Sequence, residues 1–244
     1  MNIKRYKKNI ISFAFIIILS LNMTFAVSGQ TKDTNYNTII LQDDEQVRIA
    51  QANDDNMIYT TTFNKIDNWV QTIATDIYTG EQFKGDIVFI QIPEQEFVVG
   101  IRASLKENTF TNYEYTKTYG TTNKWELRRP RSNIFNYYYF KTDETTANSS
   151  DLSRFKSYVD SINTLEGQII MDMGLSGLSI VVSAAAGAGA IFTGGTLSTA
   201  AWASIVASAG AHSKLVSTCM SYDTACKNAY DAYWTVYYKS DVYF

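Results

Sequence analysis

The chain contains few residues of the types that catalyse reactions or hold metal ions. Two cysteines and one histidine occur among its 244 residues, and the HExxH, GxSxG and P-loop motifs are missing from the sequence. No pair of cysteines or histidines repeats with the spacing of a metal site. The acidic residues between Asp43 and Asp55 stand among glutamine and asparagine, as in a solvated loop. We therefore expect no catalytic residues, no metal and no cofactor, and a protein that is not an enzyme.

The chain also lacks an excess of positive charge. Its formal net charge is -3, and beyond the N-terminal segment its only dense basic cluster is formed by Arg128, Arg129 and Arg131. That cluster is either a processing site or, as we favour, a surface patch. Nucleic acid requires a basic face, and an acidic chain gives no support for attraction to anionic lipid. We expect no nucleic-acid partner.

The N-terminus has the composition of a secretion signal. Residues 1–9 hold four basic residues and no acidic one, and the apolar run Ile10–Leu21 follows. Small residues at Ala26 and Ser28 suit cleavage by signal peptidase. An uncleaved anchor is the alternative, but the apolar run is short for the roughly 20 residues of a membrane span. We predict a Sec signal peptide at residues 1–28, secretion to the extracellular space, and a mature net charge of -7 once the four basic residues are lost.

The next part of the sequence is typical of antiparallel strands. After a polar, flexible tail at 29–37, residues 38–141 alternate between short runs rich in Ile, Val, Thr, Tyr and Phe and turn residues, which predicts a small β domain. The candidate strands are Thr38–Leu41, Val47–Ala50, Ile58–Phe63, Trp69–Tyr78, Asp86–Gln91, Phe97–Arg102, Tyr113–Tyr119 and Tyr137–Lys141. Thr79-Gly80 predicts a hairpin between Trp69–Tyr78 and the following run. Pro93 and Pro130 are expected between strands.

A linker at 142–150 and an amphipathic helix at 151–166 are expected next. Apolar residues recur at helical spacing at Leu152, Phe155, Val159 and Ile162, whereas Glu166 is assigned to the polar side. The helix is expected to pack on the β domain or on the segment that follows it.

The feature that points to a function is a long run without charge. Met173–Ser213 contains no Asp, Glu, Lys or Arg, and its length matches two membrane spans. We predict an apolar, Ala/Gly-rich helical hairpin at 167–217 with its turn at Gly194 and Gly195, where glycine disfavours helix. The side chains predicted to enter the membrane are Leu178, Ile180, Val181, Val182, Ile191, Phe192, Trp202, Ile205 and Val206.

Small residues four apart within this hairpin would let helices approach closely in lipid and would favour self-association there. The alternative is a hairpin that is buried inside a globular protein. We favour insertion because the β domain is small for covering two helices that are apolar all round.

The last predicted region, residues 218–244, combines a cysteine loop with an aromatic helix. On an unbroken helix Cys219 and Cys226 would be too far apart to bond, but a turn between them would permit a disulfide, which an exported protein favours. Free buried thiols are the alternative. Aromatic residues then follow at helical spacing, as on a membrane-interface face or a packing stripe; they are Tyr230, Tyr233, Trp234 and Tyr237.

Two stretches carry a family resemblance, FNKIDNWVQTIATDIYTGEQ and KWELRRPRSNIFNYYYFKTDETTANSSDL. With the order of the parts, they resemble the large geobacillin-type secreted bacteriocin precursors and, more weakly, the sporulation-delaying toxin precursor family; the charge-free run also resembles pore-forming colicins. The resemblance implies killing of competing bacteria by membrane disruption, without catalytic residues.

The sequence thus predicts an α+β protein: a signal peptide, a small antiparallel β domain, an amphipathic helix and a C-terminal apolar helical hairpin. Its expected function is that of a secreted antibacterial toxin that forms pores or otherwise disrupts the membrane of Gram-positive target cells. The expected partners are the target bacterial membrane and an immunity protein of the producer. The alternative is a non-toxic secreted or anchored surface protein whose hairpin anchors it or packs against the β domain.

Overall fold

The structure is a computed structural model, and it describes residues 38–90, 104–107, 109–133, 136–191 and 193–244. The predicted signal peptide, the tail at 29–37, the strand Phe97–Arg102 and the predicted insertion residue Phe192 lie outside the described residues.

The first half of the described chain forms a six-stranded antiparallel sheet, sheet A, with strand order β1-β2-β3-β4-β5 and with β6 paired to β4. Its strands are β1 (Ile39–Asp43), β2 (Val47–Asn53), β3 (Met57–Asn64), β4 (Trp69–Asp76), β5 (Gln82–Lys84) and β6 (Val88–Phe89). The predicted hairpin is confirmed, since β4 pairs antiparallel with β5. Asp76 closes its turn by accepting hydrogen bonds from the N–H groups of Tyr78 and Thr79.

The second sheet, sheet B, has five antiparallel strands in the order β11-β10-β9-β8-β7. They are β7 (Ser104–Glu107), β8 (Glu114–Thr118), β9 (Lys124–Asn133), β10 (Asn136–Asp143) and β11 (Val242–Tyr243). The sequence patterns predicted neither β9 nor β11. The C-terminal strand β11 pairs with Lys141 and Thr142 of β10, so the two ends of the helical part both meet sheet B.

Pro130 lies inside β9, so the prediction that it separates strands is wrong. It pairs with Tyr137 of β10, next to a register shift. The pairing of β9 with β8 ends at Arg128 and Glu114, so no strand of the described residues pairs with Pro130 on that side. A proline without an N–H is tolerated at such an edge.

The described residues also form three helices, α1 (Ser149–Gly187), α2 (Thr199–Ser208) and α3 (Lys214–Lys239). The amphipathic stripe of α1 is confirmed, because Leu152, Phe155, Val159 and Ile162 are fully buried. The helix extends well past the predicted end at residue 166, with non-helical dihedral angles at Gly174. The two helical parts that the sequence predicted separately therefore form one element with a kink.

Both sheets and all three helices belong to one compact unit. Helix α3 packs along α1, and α2 lies on β2 and β3 of sheet A. Aromatic side chains join α1 and α3 to sheet B. The ring centre of Tyr233 on α3 lies 4.9 Å from that of Phe140 on β10 and 6.1 Å from that of Phe155 on α1. The α+β class is confirmed, with antiparallel sheets and one long apolar helix.

Candidate membrane-insertion segment

The charge-free run Met173–Ser213, here called the apolar segment, forms much of the buried core. Its two helical parts are the end of α1 and the whole of α2. Eight of the nine side chains predicted to enter a membrane are described, and each is at most 7% exposed; they are Leu178, Ile180, Val181, Val182, Ile191, Trp202, Ile205 and Val206. In this structure all but Ile180 of these side chains belong to one buried core cluster that also contains residues of both sheets and of α3.

A polar contact inside the core fixes α2 to sheet A. The hydroxyl oxygen of Thr61 on β3 lies 2.8 Å from that of Ser204 on α2 and 3.1 Å from that of Thr72 on β4. All three residues are buried, and buried hydroxyl groups need such partners. The neighbouring β2 residues on this face are Ala50 and Ala52, whose small side chains let the helix approach the strands.

The end of α1 contacts sheet A through its backbone. The N–H of Asp86 donates a hydrogen bond of 2.8 Å to the carbonyl of Gly187. A Cβ atom on Gly187 would lie 2.7 Å from the carbonyl oxygen of Asp86, and one on Gly85 would lie 2.8 Å from that of Gly187. Both positions require glycine because any side chain would separate helix and sheet.

Glycines interrupt helical structure at both ends of the apolar segment. Gly174 has φ 74° and ψ 174°, and Gly210 has φ 82°. The helix after Gly174 runs for about 13 residues and α2 for 10, which gives lengths of about 20 Å and 15 Å. Neither reaches the roughly 30 Å of a hydrocarbon core. The two continuous spans that the predicted hairpin at 167–217 requires are therefore not present in the described part of this structure.

The predicted turn at Gly194 and Gly195 does lie in the connection between α1 and α2. Gly194 has φ 72° and packs against the ring of Tyr230. Tyr113, from the loop before β8, donates a hydrogen bond of 3.1 Å to the carbonyl of Ile191 in the same connection. The connection is thus held by side chains from sheet B and from α3.

A buried carboxylate holds α1 just before the apolar segment. Glu166 accepts hydrogen bonds from the N–H of Phe110 at 2.6 Å, from the N–H and the hydroxyl of Thr111 at 3.1 Å and 3.0 Å, and from the hydroxyl of Tyr222 at 3.2 Å. Burial outweighs these bonds and raises the pKa of Glu166 to about 7. Glu166 thus joins α1 to α3 and to the loop before β8.

The assignment of Glu166 to the polar side of its helix is wrong. Leu152, Phe155, Val159 and Ile162 alternate by three and four, and the next step of that series is residue 166. The spacing could have placed the carboxylate in the core; its residue type argued against it.

A second buried carboxylate, Asp223 of α3, holds the start of α2. It accepts hydrogen bonds from the N–H of Leu197 at 2.8 Å and from the indole N–H of Trp202 at 3.1 Å. Its other oxygen, Oδ1, is buried without a partner among the described residues, and burial raises its pKa. Glu166 therefore fixes the helix that leads into the apolar segment, and Asp223 fixes the start of α2 within it.

The predicted disulfide between Cys219 and Cys226 is not formed. Both cysteines are free and buried, and both belong to the unbroken helix α3. Two turns of helix separate them by about 10 Å, which is too far for a disulfide. The turn that the disulfide required is absent from α3.

The aromatic residues predicted for a membrane interface form a cluster on α3. Tyr233 is buried, whereas Tyr230, Trp234 and Tyr237 are half-buried. Tyr237 lies 5.4 Å from the ring centre of Phe140 on β10. The cluster therefore packs on sheet B and leaves part of its rings at the surface.

By length and composition alone, α1 is the one helix within the described part of the chain that could cross a membrane, although Gly174 interrupts it, and 56% of its most apolar stretch is buried. The described residues contain no group of three metal-ligating side chains.

Comparison with known proteins found no matching family model, no matching curated protein and no matching solved structure.

Proposed function

We propose that the chain is a secreted antibacterial toxin whose apolar segment leaves the core of the soluble protein and enters the membrane of the target cell. The observation that carries the proposal is the combination of burial and lack of charge in Met173–Ser213. The segment is kept from water in the soluble form, and it contains no charged group that would oppose its entry into lipid.

Transfer of the apolar segment from the protein core into lipid would leave its apolar side chains in apolar surroundings. Side chains such as Val181 and Ile205 are surrounded by apolar groups in the core and would be so again between lipid tails, which are as apolar as leucine. The free energy that separates the two states is therefore set by smaller terms, namely hydrogen bonds, backbone conformation and helix packing.

The polar groups of the segment are already suited to lipid. The hydroxyl groups of Ser179, Ser204 and Ser208 donate hydrogen bonds of 2.7 to 2.9 Å to carbonyl groups of their own helices. Such bonds travel with the helix and leave no unpaired donor in the hydrocarbon region.

The backbone also favours a longer helix outside the soluble fold. Gly174 and Gly210 have positive φ values here, whereas a helix that spans a membrane would take both into the α region. Their conversion would join the short helices of the soluble form into lengths that match a bilayer.

Dye release from vesicles tests this function. Mature protein, residues 29–244, is added to vesicles made from lipids of a Gram-positive bacterium, and membrane potential is followed in parallel in sensitive cells. We expect dye release and depolarisation. Mature protein that leaves vesicles sealed and Gram-positive strains polarised would overturn the proposal.

Substitution of a charge into α2 is a poor test of insertion. Ala203 is 2% exposed, so Ala203→Asp would bury an unpaired carboxylate in the soluble fold and prevent folding. A covalent link between α2 and sheet A that keeps the soluble fold intact is the better experiment.

The burial of the predicted insertion residues favours a second candidate, a surface protein in which the segment has only a packing role. Fractionation separates the two. The toxin is expected in the culture medium and on target cells, and the surface protein only in the envelope of the producer.

A further inference from the structure

Two neighbouring arginines of β9 differ from the other arginines of the described residues. Arg48, Arg128 and Arg154 each form an ion pair with an aspartate or glutamate. Arg129 and Arg131 form none with any described carboxylate. Their positive charges are thus not balanced within the described part of the protein.

Arg129 is buried, although it has no acidic partner there. It is 5% exposed, and its guanidinium lies 4.6 to 5.5 Å from the centres of four aromatic rings, which belong to Tyr138, Tyr230, Tyr233 and Trp234. One Nη donates a hydrogen bond of 3.0 Å to the carbonyl of Pro130, and Nε has no described partner. Aromatic faces offset part of the cost of burying the cation, but they do not replace an anion.

The ring of Tyr138 brings the two cations together. The guanidinium of Arg129 lies 4.6 Å from its centre and that of Arg131 lies 5.1 Å from it. Like charges around one ring repel each other, so an anion that contacts both would remove an unfavourable interaction as well as add a favourable one.

The surroundings of this pair suit the surface of a membrane. Tyr138 is 41% exposed and Tyr238 of α3 is 78% exposed, and Tyr238 stacks on Trp234 at 5.8 Å. Exposed Tyr and Trp rings favour the headgroup region of a bilayer, and guanidinium groups bind phosphate through paired N–H donors.

We propose that Arg129, Arg131 and Tyr138 form a binding site for the phosphate of an anionic phospholipid headgroup, which seats the soluble protein on the target membrane. The inference rests on the proposed function because the membrane is the partner in both. The acidic net charge of the chain does not oppose it, since charges farther away than about 10 Å are largely screened in physiological salt.

Sedimentation with vesicles tests the site. Mature protein is mixed with vesicles of phosphatidylcholine or of phosphatidylcholine with phosphatidylglycerol, and the bound fraction is measured. We expect binding to the anionic vesicles, and we expect Arg131→Gln to weaken it roughly fivefold. Arg131 is exposed, so this substitution should leave the thermal unfolding midpoint unchanged.

The matched control is Arg154→Gln, which removes an exposed arginine of α1 that is paired with Asp151; binding to anionic vesicles should stay at the wild-type level. Arg131→Lys keeps the charge without the paired donors. Its affinity for anionic vesicles should lie between that of the wild type and that of Arg131→Gln. Equal binding by Arg131→Gln and the wild type, or equal binding to neutral and anionic vesicles, would overturn the site. If millimolar inorganic phosphate released the bound protein, the site would be assigned to a free anion, and the proposal of a lipid headgroup as its ligand would be overturned.

The two proposals fail in different ways. Binding that depends on Arg131 without any dye release would overturn the toxin function and leave the lipid site. Dye release that is independent of phosphatidylglycerol and of Arg131 would overturn the lipid site and leave the toxin function.

Discussion

Gly187, at the end of α1, and Gly85, in sheet A, meet backbone to backbone. A Cβ atom on Gly85 would lie 2.8 Å from the carbonyl oxygen of Gly187. This contact and the adjacent hydrogen bond from the N–H of Asp86 fix the apolar helix against the sheet. If the apolar segment is to leave the core, this contact has to open.

Gly187→Ala tests the role of that contact. The new methyl group would meet the carbonyl oxygen of Asp86 at 2.7 Å, so helix and sheet must move apart, and we expect the free energy of unfolding to fall by about 2 kcal/mol. Urea unfolding followed by fluorescence measures the change. Gly167→Ala is the matched control, because its methyl group meets no atom within 4 Å. The contact has no such role if Gly187→Ala is as stable as this control.

Gly174→Ala tests whether the kink of α1 limits insertion. A Cβ atom there would meet no atom within 4 Å, so the cost lies in the backbone: φ 74° with ψ 174° is a region that essentially only glycine occupies, at about 1 to 3 kcal/mol for other residues. Alanine also favours a continuous helix by about 1 kcal/mol. We expect lower stability in solution and faster dye release. Gly167→Ala should instead stabilise the soluble fold, and slower release by Gly174→Ala would contradict the role of the kink.

The regular elements of this protein could be predicted where the local sequence has a clear composition or period. Sheet A follows from runs rich in Ile, Val, Thr, Tyr and Phe between turn residues, and the stripe of α1 from Leu152 to Ile162 has a period of 3.6. The strand β9 was not predicted because Pro130 and three arginines interrupt its pattern. Contacts distant in sequence accommodate these residues: Pro130 lies at a strand edge, and aromatic rings of α3 surround Arg129.

The burial of the apolar segment in the protein core could not be predicted, because composition does not distinguish a segment of a core from one of a membrane. Both are apolar, and the same run of residues suits either. The breaks at Gly174 and Gly210 were not predicted because an isolated glycine inside a helical pattern is common enough to be tolerated. The prediction of a disulfide was wrong for a related reason. Nothing local in the sequence distinguishes a turn between Cys219 and Cys226 from the continuous helix that the structure has.

The burial of Glu166 predicts how stability depends on pH. Its pKa is about 7 in the folded protein against an ordinary value of 4.5, so between these values the folded protein binds the proton more tightly than the unfolded chain. The free energy of unfolding should therefore fall as pH rises from about 4.5 to about 7, by up to about 3 kcal/mol from this group. Asp223, whose pKa is also raised, acts in the same direction.

Glu166→Gln removes the ionisation and keeps one acceptor oxygen, which can serve either Phe110 or Thr111, since these two N–H groups donate to different oxygens of Glu166. The hydroxyl of Tyr222 and the thiol of Cys226 beside it have raised pKa values, so both stay neutral in this range. Chemical unfolding at several pH values should show a shallower dependence for the variant. An identical dependence would mean that other groups determine it. Protonation of Glu166 in acid should thus stabilise the folded protein. Acid should therefore not release the apolar segment through this residue.

The free cysteines predict the behaviour of the thiols. Burial raises the pKa of Cys219 to about 12 from an ordinary 9.0, which lowers its thiolate fraction roughly a thousandfold. The native protein should react very slowly with iodoacetamide, and unfolding without a reductant should allow two alkylations by mass. A mass that shows no alkylation until a reductant is added would establish a disulfide and contradict the continuous helix α3.

The most direct test of the central claim is a reversible link between α2 and sheet A. The hydroxyl oxygens of Thr61 and Ser204 lie 2.8 Å apart, so Thr61→Cys with Ser204→Cys places two sulfur atoms where a disulfide can form. The measurement is dye release by this variant before and after reduction, with Ser204→Cys alone as the control for the reductant. We predict that the oxidised protein is folded and soluble but releases no dye, and that reduction restores release. Equal release by the oxidised and reduced forms would show that α2 stays in the core, and would contradict insertion of the apolar segment.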